Sequence, residues 1–592
     1  MVLPMILLYS FVFALEGGAL AFYSASAARQ VQAMQNQLRA FYAAENATEM
    51  LRSQVAMFYE TNGAAPTDAQ LQAMEDDVAN EGQLHFSDID VSYNGAAANQ
   101  LIASGDFAGL NGSIREVNIT AKATYLKGHH NANVKISQTL QIQQISLFQF
   151  GIFYDEDLEI RPGAAMTFAG PVHCNQDIYL STGASMQFTS TLEAYGHIIH
   201  GYKDGNSVGV QTGAINIKDG SNVDQNMWIA ADNKWLDYTH PDWLTKSQEH
   251  WDGNVKDVSH SVPSLKLPLP TGSTSRTLIV RRVNGESAEI QAQKMDYKGN
   301  IRIIDNAVKN KANTATLDFR YCSNSSGVVG NGPDGIANTT DDTCTLGSVR
   351  LPILLPTSTT GRSFTDLREN KVMKATEIDI SLLKASQTFI NLQAANPGGV
   401  IIYHSDQRNL GVGTRDALRL VNGTTLPTGG LTVATENPLY VKGNYNKGDA
   451  VTAKQPSGLV ADVTTALSGS WDDTKSALAI SNRNASASTI NSAIVTGNKD
   501  TTMGVQASYN GGYENIIRFL ESWSGVTFTY KGSTIVLYNS ENSTGLFNVS
   551  GIYAAPIRAY SFDTDFKGAN YAIPGFPSAY TIVKSKWEFE DN

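Results

Sequence analysis

The 592-residue sequence has only three cysteines, and no Cys-x-x-Cys or paired-His spacing accompanies them. That suggests neither a disulfide scaffold nor a zinc framework. A basic surplus is also missing. Lys and Arg number 44 against 56 Asp and Glu, for a net charge of −12, so no surplus exists to neutralise phosphates and nucleic acid is not expected as the main partner. There is no Gly-x-Ser-x-Gly elbow, no phosphate loop and no His-Glu-x-x-His, and no catalytic residue is assigned. What is abundant is length, more than one hydrophobic core usually holds, so two or three domains are expected behind the N-terminal segment.

That segment, MVLPMILLYSFVFALEGGALAFYSASAA, has a single ionisable side chain, Glu16, and is long enough to cross a bilayer as a helix. No Lys or Arg precedes it as in a secretory signal, so the start reads as already processed. Beyond Arg29, the positions Met34, Leu38, Phe41, Ala44, Thr48, Leu51, Val55 and Phe58 recur at steps of three and four, one helical stripe that ends at Asn62-Gly63 with Pro66 behind it. The expectation is one helix over 1–63, apolar all round in its first half and amphipathic in its second. Such a helix can leave a membrane, pack with copies of itself and dock on its own head; the other reading is an ordinary signal anchor. Glu16 in a hydrocarbon setting either meets an amine or another subunit, or sits protonated without a role. Gly17 and Gly18 permit a kink or a close helix approach.

From about Ala64 the text turns to period-two alternation, as in VNITAKATYL and NVKISQTLQIQQI, which predicts a β-sheet head over 64–150. Aligning the chain with itself at a shift of 20 residues then superposes Leu158, Ile178 and Ile198, Ile160 and Leu180, Met166 and Met186, Phe168 and Phe188, and Val172 and Leu192. Repeated alternation with Gly163 and Gly183 at a fixed offset describes rungs of a parallel β-solenoid, expected over 151–455 with insertions at about 203–264 and 322–344. The first insertion concentrates Trp228, Trp235, Trp243 and Trp251, a candidate glycan-binding surface. Further strands are read at TLIVRRV, ESAEIQAQKM, IRIIDN, VIIYH, LTVAT and NPLYVKGNYN, and a C-terminal α+β or β region over 456–592. The fold class is therefore α+β, mostly β. Cys174 shares parity with Val172 and should point into the core. The acidic run Asp155-Glu156-Asp157 reads as a turn before a strand in preference to a pair of glycosidase carboxylates.

Several stretches together resemble a bacterial pilus-assembly family with a pilin-like N-terminal helix and a large β-rich ectodomain: RAFYAAENATEML, LFQFGIFYDEDLEIRPGAAMTFAGPVHCNQDIYL, ALRLVNGTTLPTGGLTVATENPLYVKGNYN, GGYENIIRFLESWSG and YAAPIRAYSFDTDF. The resemblance implies a subunit of an extracellular, type IV pilus-like filament, inserted in the inner membrane before assembly and partnered by copies of itself and the pilus assembly machinery. The alternatives are a minor pilin or an anchored adhesin that binds glycans or other cells, and, further off, a polysaccharide-active enzyme. Where major pilins carry a Glu at position 5 this chain has Met5, leaving Met1, Glu16, Gly17 and Gly18 as the assembly candidates. Cys322 and Cys344 bracket a Gly- and Asn-rich loop that a disulfide could close, or they are two separate thiols. Within it Asp334, Asn338, Asp341 and Asp342 around Gly335 are similar to calcium loops of the thrombospondin-repeat kind, with a plain polar turn as the other reading.

Overall fold

A computed structural model describes the chain except residues 1, 81–84, 106, 128–129, 206–211, 320, 325–346, 357–361, 409, 548–550, 569–572 and 592. Helix makes up 25% and strand 36%, an α+β chain dominated by β. Two compact units result: residues 1–145 with 580–592, and residues 146–579.

The first unit is built on helix α1, Val2–Asn62, unbroken through Gly17-Gly18 and about 90 Å long at the usual rise. A second helix, α2, covers Asp68–Asn80 inside the stretch expected to be strands. Its start is a capping box: Thr67 N–H donates to Gln70 Oε1 at 2.7 Å and Gln70 N–H donates to Thr67 Oγ1 at 3.3 Å. Strands β1 (His85–Tyr93), β2 (Ala98–Leu101), β3 (Asn111–Lys127) and β4 (His130–Ile145) follow, all antiparallel in the pairings β1–β3, β2–β3 and β3–β4. The fifth strand of this sheet is Ala579–Asp591, which lies beside β4. The last residues, read from the sequence as part of a separate C-terminal region, thus return to the first unit's sheet.

The face of α1 that meets this sheet consists mostly of small residues. Ala40, Ala43, Ala44, Ala47, Thr48, Leu51, Val55 and Tyr59 are buried against Val117, Ile119, Ala121, Val134, Ile136 and Leu140. Alanines on both sides let backbone approach backbone, so part of the predicted stripe is displaced: Met34 and Leu38 remain 73% and 53% exposed. The returning strand adds to this core, with Tyr580 stacked on Tyr59 at 4.1 Å and Phe589 edge-on to Phe41 at 5.5 Å. Glu49 on α1 would be raised by burial, but it accepts from Gln138 (2.9 Å), Lys584 (3.0 Å) and Arg52 (2.7 Å), and the net effect holds it below the usual carboxylate range.

The second unit begins with three short rungs. The first holds β5 (Ile152–Tyr154), β6 (Leu158–Ile160) and β7 (Met166–Phe168); the second β8 (Val172–Cys174), β9 (Ile178–Leu180) and β10 (Thr182–Phe188); the third β11 (Leu192–Ala194), β12 (Ile198–His200) and β13 (Thr212–Lys218). Strands β5 to β12 pair in parallel at the register read from the sequence: Val172 opposite Leu192, Ile178 opposite Ile198, and Met166 opposite Met186. Stacked side chains line the interior, with Phe168 on Phe188 at 5.0 Å. The repeat continues past His200, since β13 pairs with β10 (Ile215 opposite Met186) and Val255–Lys256 with β11. The region expected as an insertion therefore contributes rung strands, shifted out of phase by the residues that precede them.

A second series of parallel strands is longer and irregular. Val400–Ser405, Leu431–Thr435, Ser457–Ala461, Ser488–Asn498 and Thr527–Asn539 stack in order in the largest sheet. The last of them then pairs in parallel with β5, Ile535 opposite Phe153, joining the two series into one sheet of twelve strands. Of the strands read from sequence, IRIIDN, VIIYH, LTVAT and the LYVK of NPLYVKGNYN form. TLIVRRV and ESAEIQAQKM do not: Ser275–Leu278 is a 3-10 turn, and Ala288–Gln293 is a helix whose Ser287 side chain caps Ile290 N–H at 3.3 Å.

Candidate functional site

The most unusual surface of the molecule is the first half of α1. Every residue from Val2 to Ser24 is exposed, including Leu3, Ile6, Leu7, Leu8, Phe11, Phe13, Leu20, Phe22 and Tyr23. By length and composition this helix can cross a membrane. Large apolar side chains left in water lose the roughly 1.5–3 kcal/mol each would gain on burial, so a face of this size is stable only when something else covers it. Glu16 is exposed in the middle of the apolar run, and added Cβ atoms at Gly17 and Gly18 would meet nothing within 4 Å, so both glycines leave backbone open to a neighbouring helix. Further along, Val31, Met34, Leu38 and Tyr42 carry the exposed apolar surface past Arg29, beside the alanine face that packs on the sheet. The assembly candidates Glu16, Gly17 and Gly18 thus lie together on one continuous exposed helix; Met1 lies outside the described residues.

The Trp-rich stretch divides in two. Trp243 and Trp251 are buried and pack edge to face at 6.2 Å, which makes them core. Trp228 and Trp235 lie opposite each other in a hairpin; Trp228 is exposed, whereas Trp235 is half-buried against the core and stacked on His200 at 3.7 Å. Tyr238 is exposed and stacks on His197 at 4.4 Å, and Tyr195 is exposed on the same turn as His197.

The acidic run Asp155-Glu156-Asp157 is the bend between β5 and β6, and each carboxylate has structural partners. Asp155 accepts from Asn175 Nδ2 at 2.6 Å, Glu156 from Asn539 Nδ2 at 2.9 Å, and Asp157 from Asp177 N–H at 3.0 Å while pairing with Lys203 at 2.8 Å. Burial pushes Glu156 and Glu159 up to about 7. A cavity of about 650 Å³ lies along the strands Lys371–Asp379, Thr414–Val421 and Leu439–Lys442, and both of its arginines are paired: Arg419 holds Glu377 (2.7 Å) and Asp473 (2.6 Å), and Arg362 holds Glu377 (3.1 Å). Among the described residues no cluster of three or more His, Cys, Asp or Glu side chains is arranged to hold a metal ion. The calcium candidates Asp334, Asn338, Asp341 and Asp342 lie outside the described residues, as does Cys344 of the proposed disulfide. Cys322 is in Tyr321–Asn324, which pairs antiparallel with Gly347–Arg350 across the ends of that loop. Cys174 is free and buried, as its parity implied.

No known protein family and no curated protein matches the chain by sequence. Among solved structures, the competence-associated pilin ComZ from Thermus thermophilus aligns over 94% of this chain and 98% of its own at 12% identity and a TM-score of 0.28.

Proposed function

We propose that this chain is a structural subunit of an extracellular, type IV pilus-like filament, held in the inner membrane by α1 before assembly and built into a helical bundle of copies of itself by the pilus assembly machinery. The observation that carries this reading is the wholly exposed apolar half of α1 running without a break into a half that docks on the chain's own sheet. One helix thereby serves two environments: hydrocarbon or neighbouring helices first, its own head second. In this reading Glu16 takes the place of the carboxylate missing at position 5, Gly17 and Gly18 admit a neighbour, and the parallel strands of residues 146–579 form a β-solenoid on the filament's outside. Electron microscopy of sheared surface filaments, with peptide sequencing of the main component, tests it. This chain as the dominant component is the expected result; a chain confined to the membrane fraction refutes it.

A second reading, a minor or anchored adhesive subunit, is favoured by the exposed aromatics Trp228, Tyr238 and Tyr195, since rings presented to solvent suit the apolar faces of sugars. Replacing Trp228 and Tyr238 by Ala should then abolish adhesion to glycan-coated surfaces while filaments still form. Adhesion that survives the double replacement removes this reading.

A further inference from the structure

The stretch of α1 beside the last strand carries an ordered apolar patch. Leu38, Phe41, Tyr42 and Glu45 fall at spacings that put them on one side of the helix. Phe41 is edge-on to Tyr42 at 5.6 Å, to Trp587 at 6.5 Å and to Phe589 at 5.5 Å, so two rings of the last strand widen the stripe. Leu38, Tyr42, Trp587 and Phe589 are all exposed. Glu45 closes the patch half-buried, with no cation within 4.0 Å among the described residues. The same spacing recurs nearer the N-terminus at Phe22, Ala25, Ser26 and Arg29. Phe22 and Arg29 are exposed, and Arg29 in turn has no carboxylate within 4.0 Å among the described residues. Between Val2 and Leu38 the only other charged side chain is Glu16.

The two stripes are displaced by about 16 residues, which is roughly 24 Å of rise and, at about 3.6 residues per turn, roughly 160° around the helix. They therefore face opposite ways, and a contact between two different sides of one molecule repeats from copy to copy without closing. A parallel neighbour shifted by that step brings its Phe22 level with Leu38, Ala25 with Phe41, Ser26 with Tyr42 and Arg29 with Glu45. Small side chains then meet the rings, and the two charges that lack partners meet each other. An anionic lipid surface would face the wrong charge at Glu45, whereas a second copy supplies Arg29. We infer that the 22–29 stripe of one copy seats on the 38–45 patch of another, with Trp587 and Phe589 as the second wall, and that the pair of Arg29 with Glu45 sets the axial step. This contact presupposes the filament proposed above and fixes which turns of α1 meet in it, the last strand included.

Surface filaments sheared from cells that express the full chain provide the test. Ser26→Cys and Tyr42→Cys in one chain should give, on oxidation of its filaments, a ladder of disulfide-linked multimers on a non-reducing gel, absent from the parent and from each single variant. Arg29→Glu and Glu45→Arg should each cut filament yield about tenfold or more, and the two together should restore it to within about threefold of the parent. The contact is overturned by filaments of the double-cysteine chain that show no ladder, or by single charge reversals that leave the yield unchanged. It is equally overturned by a charge-swapped chain that reaches the membrane at the parental level without recovering filaments. A parent chain that forms no filaments refutes the filament reading and the contact with it, an outcome distinct from the other three.

Discussion

Helix α1 carries two apolar faces of different purpose, and a pair of Leu→Ala replacements separates them. Leu51 is 0% exposed and packs among Val55, Val117 and Leu140, whereas Leu38, on the same helix, is 53% exposed. Truncating a fully buried leucine removes its transfer free energy and leaves a cavity, for a cost of about 2–5 kcal/mol. Leu38→Ala removes atoms that already face water, so the isolated subunit should change by less than about 0.5 kcal/mol. Hydrogen exchange in detergent micelles, read at the amides of β3 and β4, converts the first figure into roughly thirtyfold or faster exchange for Leu51→Ala. The same amides should be unmoved in Leu38→Ala. On detergent removal the order reverses. If copies of α1 bury Leu38 against one another, the lost contact is worth about 1–2 kcal/mol per subunit, roughly a tenfold rise in the concentration needed for assembly. Leu38→Ala that accelerates exchange as much as Leu51→Ala would falsify this division of the helix.

In the second unit, Glu369 joins Arg518 at 2.6 Å in a nearly dry setting and accepts Gly545 N–H at 2.9 Å, so Glu369→Ala should cost about 3–5 kcal/mol by leaving a buried guanidinium unpaired; a loss under about 1 kcal/mol in denaturant unfolding would show the pair to be dispensable. Burial pushes Glu514 up to about 7 from an unfolded value of 4.5, so the folded state holds its proton more tightly and the stability it contributes is present below pH 4.5 and lost as pH rises through about 7. Glu514→Gln should therefore gain on the parent by up to about 3 kcal/mol between pH 5 and 8, and melting curves with a pH-independent difference contradict this. Cys174 is buried, its thiol pushed up by burial and donating to Glu156 O at 3.0 Å; iodoacetamide should label it only after unfolding, and rapid labelling of the native chain would place it at a surface.

The parts legible in the sequence are those with a regular period. Helix α1, the alternation of β3 and β4, and the register of β5 to β12 each repeat the same spacing several times over, and the observed pairings of Ile178 with Ile198 and Val172 with Leu192 are those read from the text. The second series has no constant period, because excursions of different length separate its rungs: Leu418 pairs with Leu439, but Thr465 with Arg518. Shifting the sequence against itself superposes nothing under those conditions. The Thr-x-x-Gln box before α2 and the Ser cap at 287 were visible signals, outweighed by the surrounding strand-like text. Met34 and Leu38 are apolar at helical spacing, yet periodicity reports only that a face is apolar and not whether the chain or another copy covers it.

The return of Ala579–Asp591 to the first unit's sheet has a consequence for synthesis. Everything from Ser146 to Ala579 must be made before that strand exists, so for most of translation α1 lacks the cover that Tyr580 gives Tyr59 and the cation that Lys584 gives Glu49. A polypeptide cut before Ala579 would leave β4 without its neighbouring strand and Tyr59 without the ring of Tyr580. In the filament reading proposed above, only a chain translated through this strand offers neighbouring copies a finished surface.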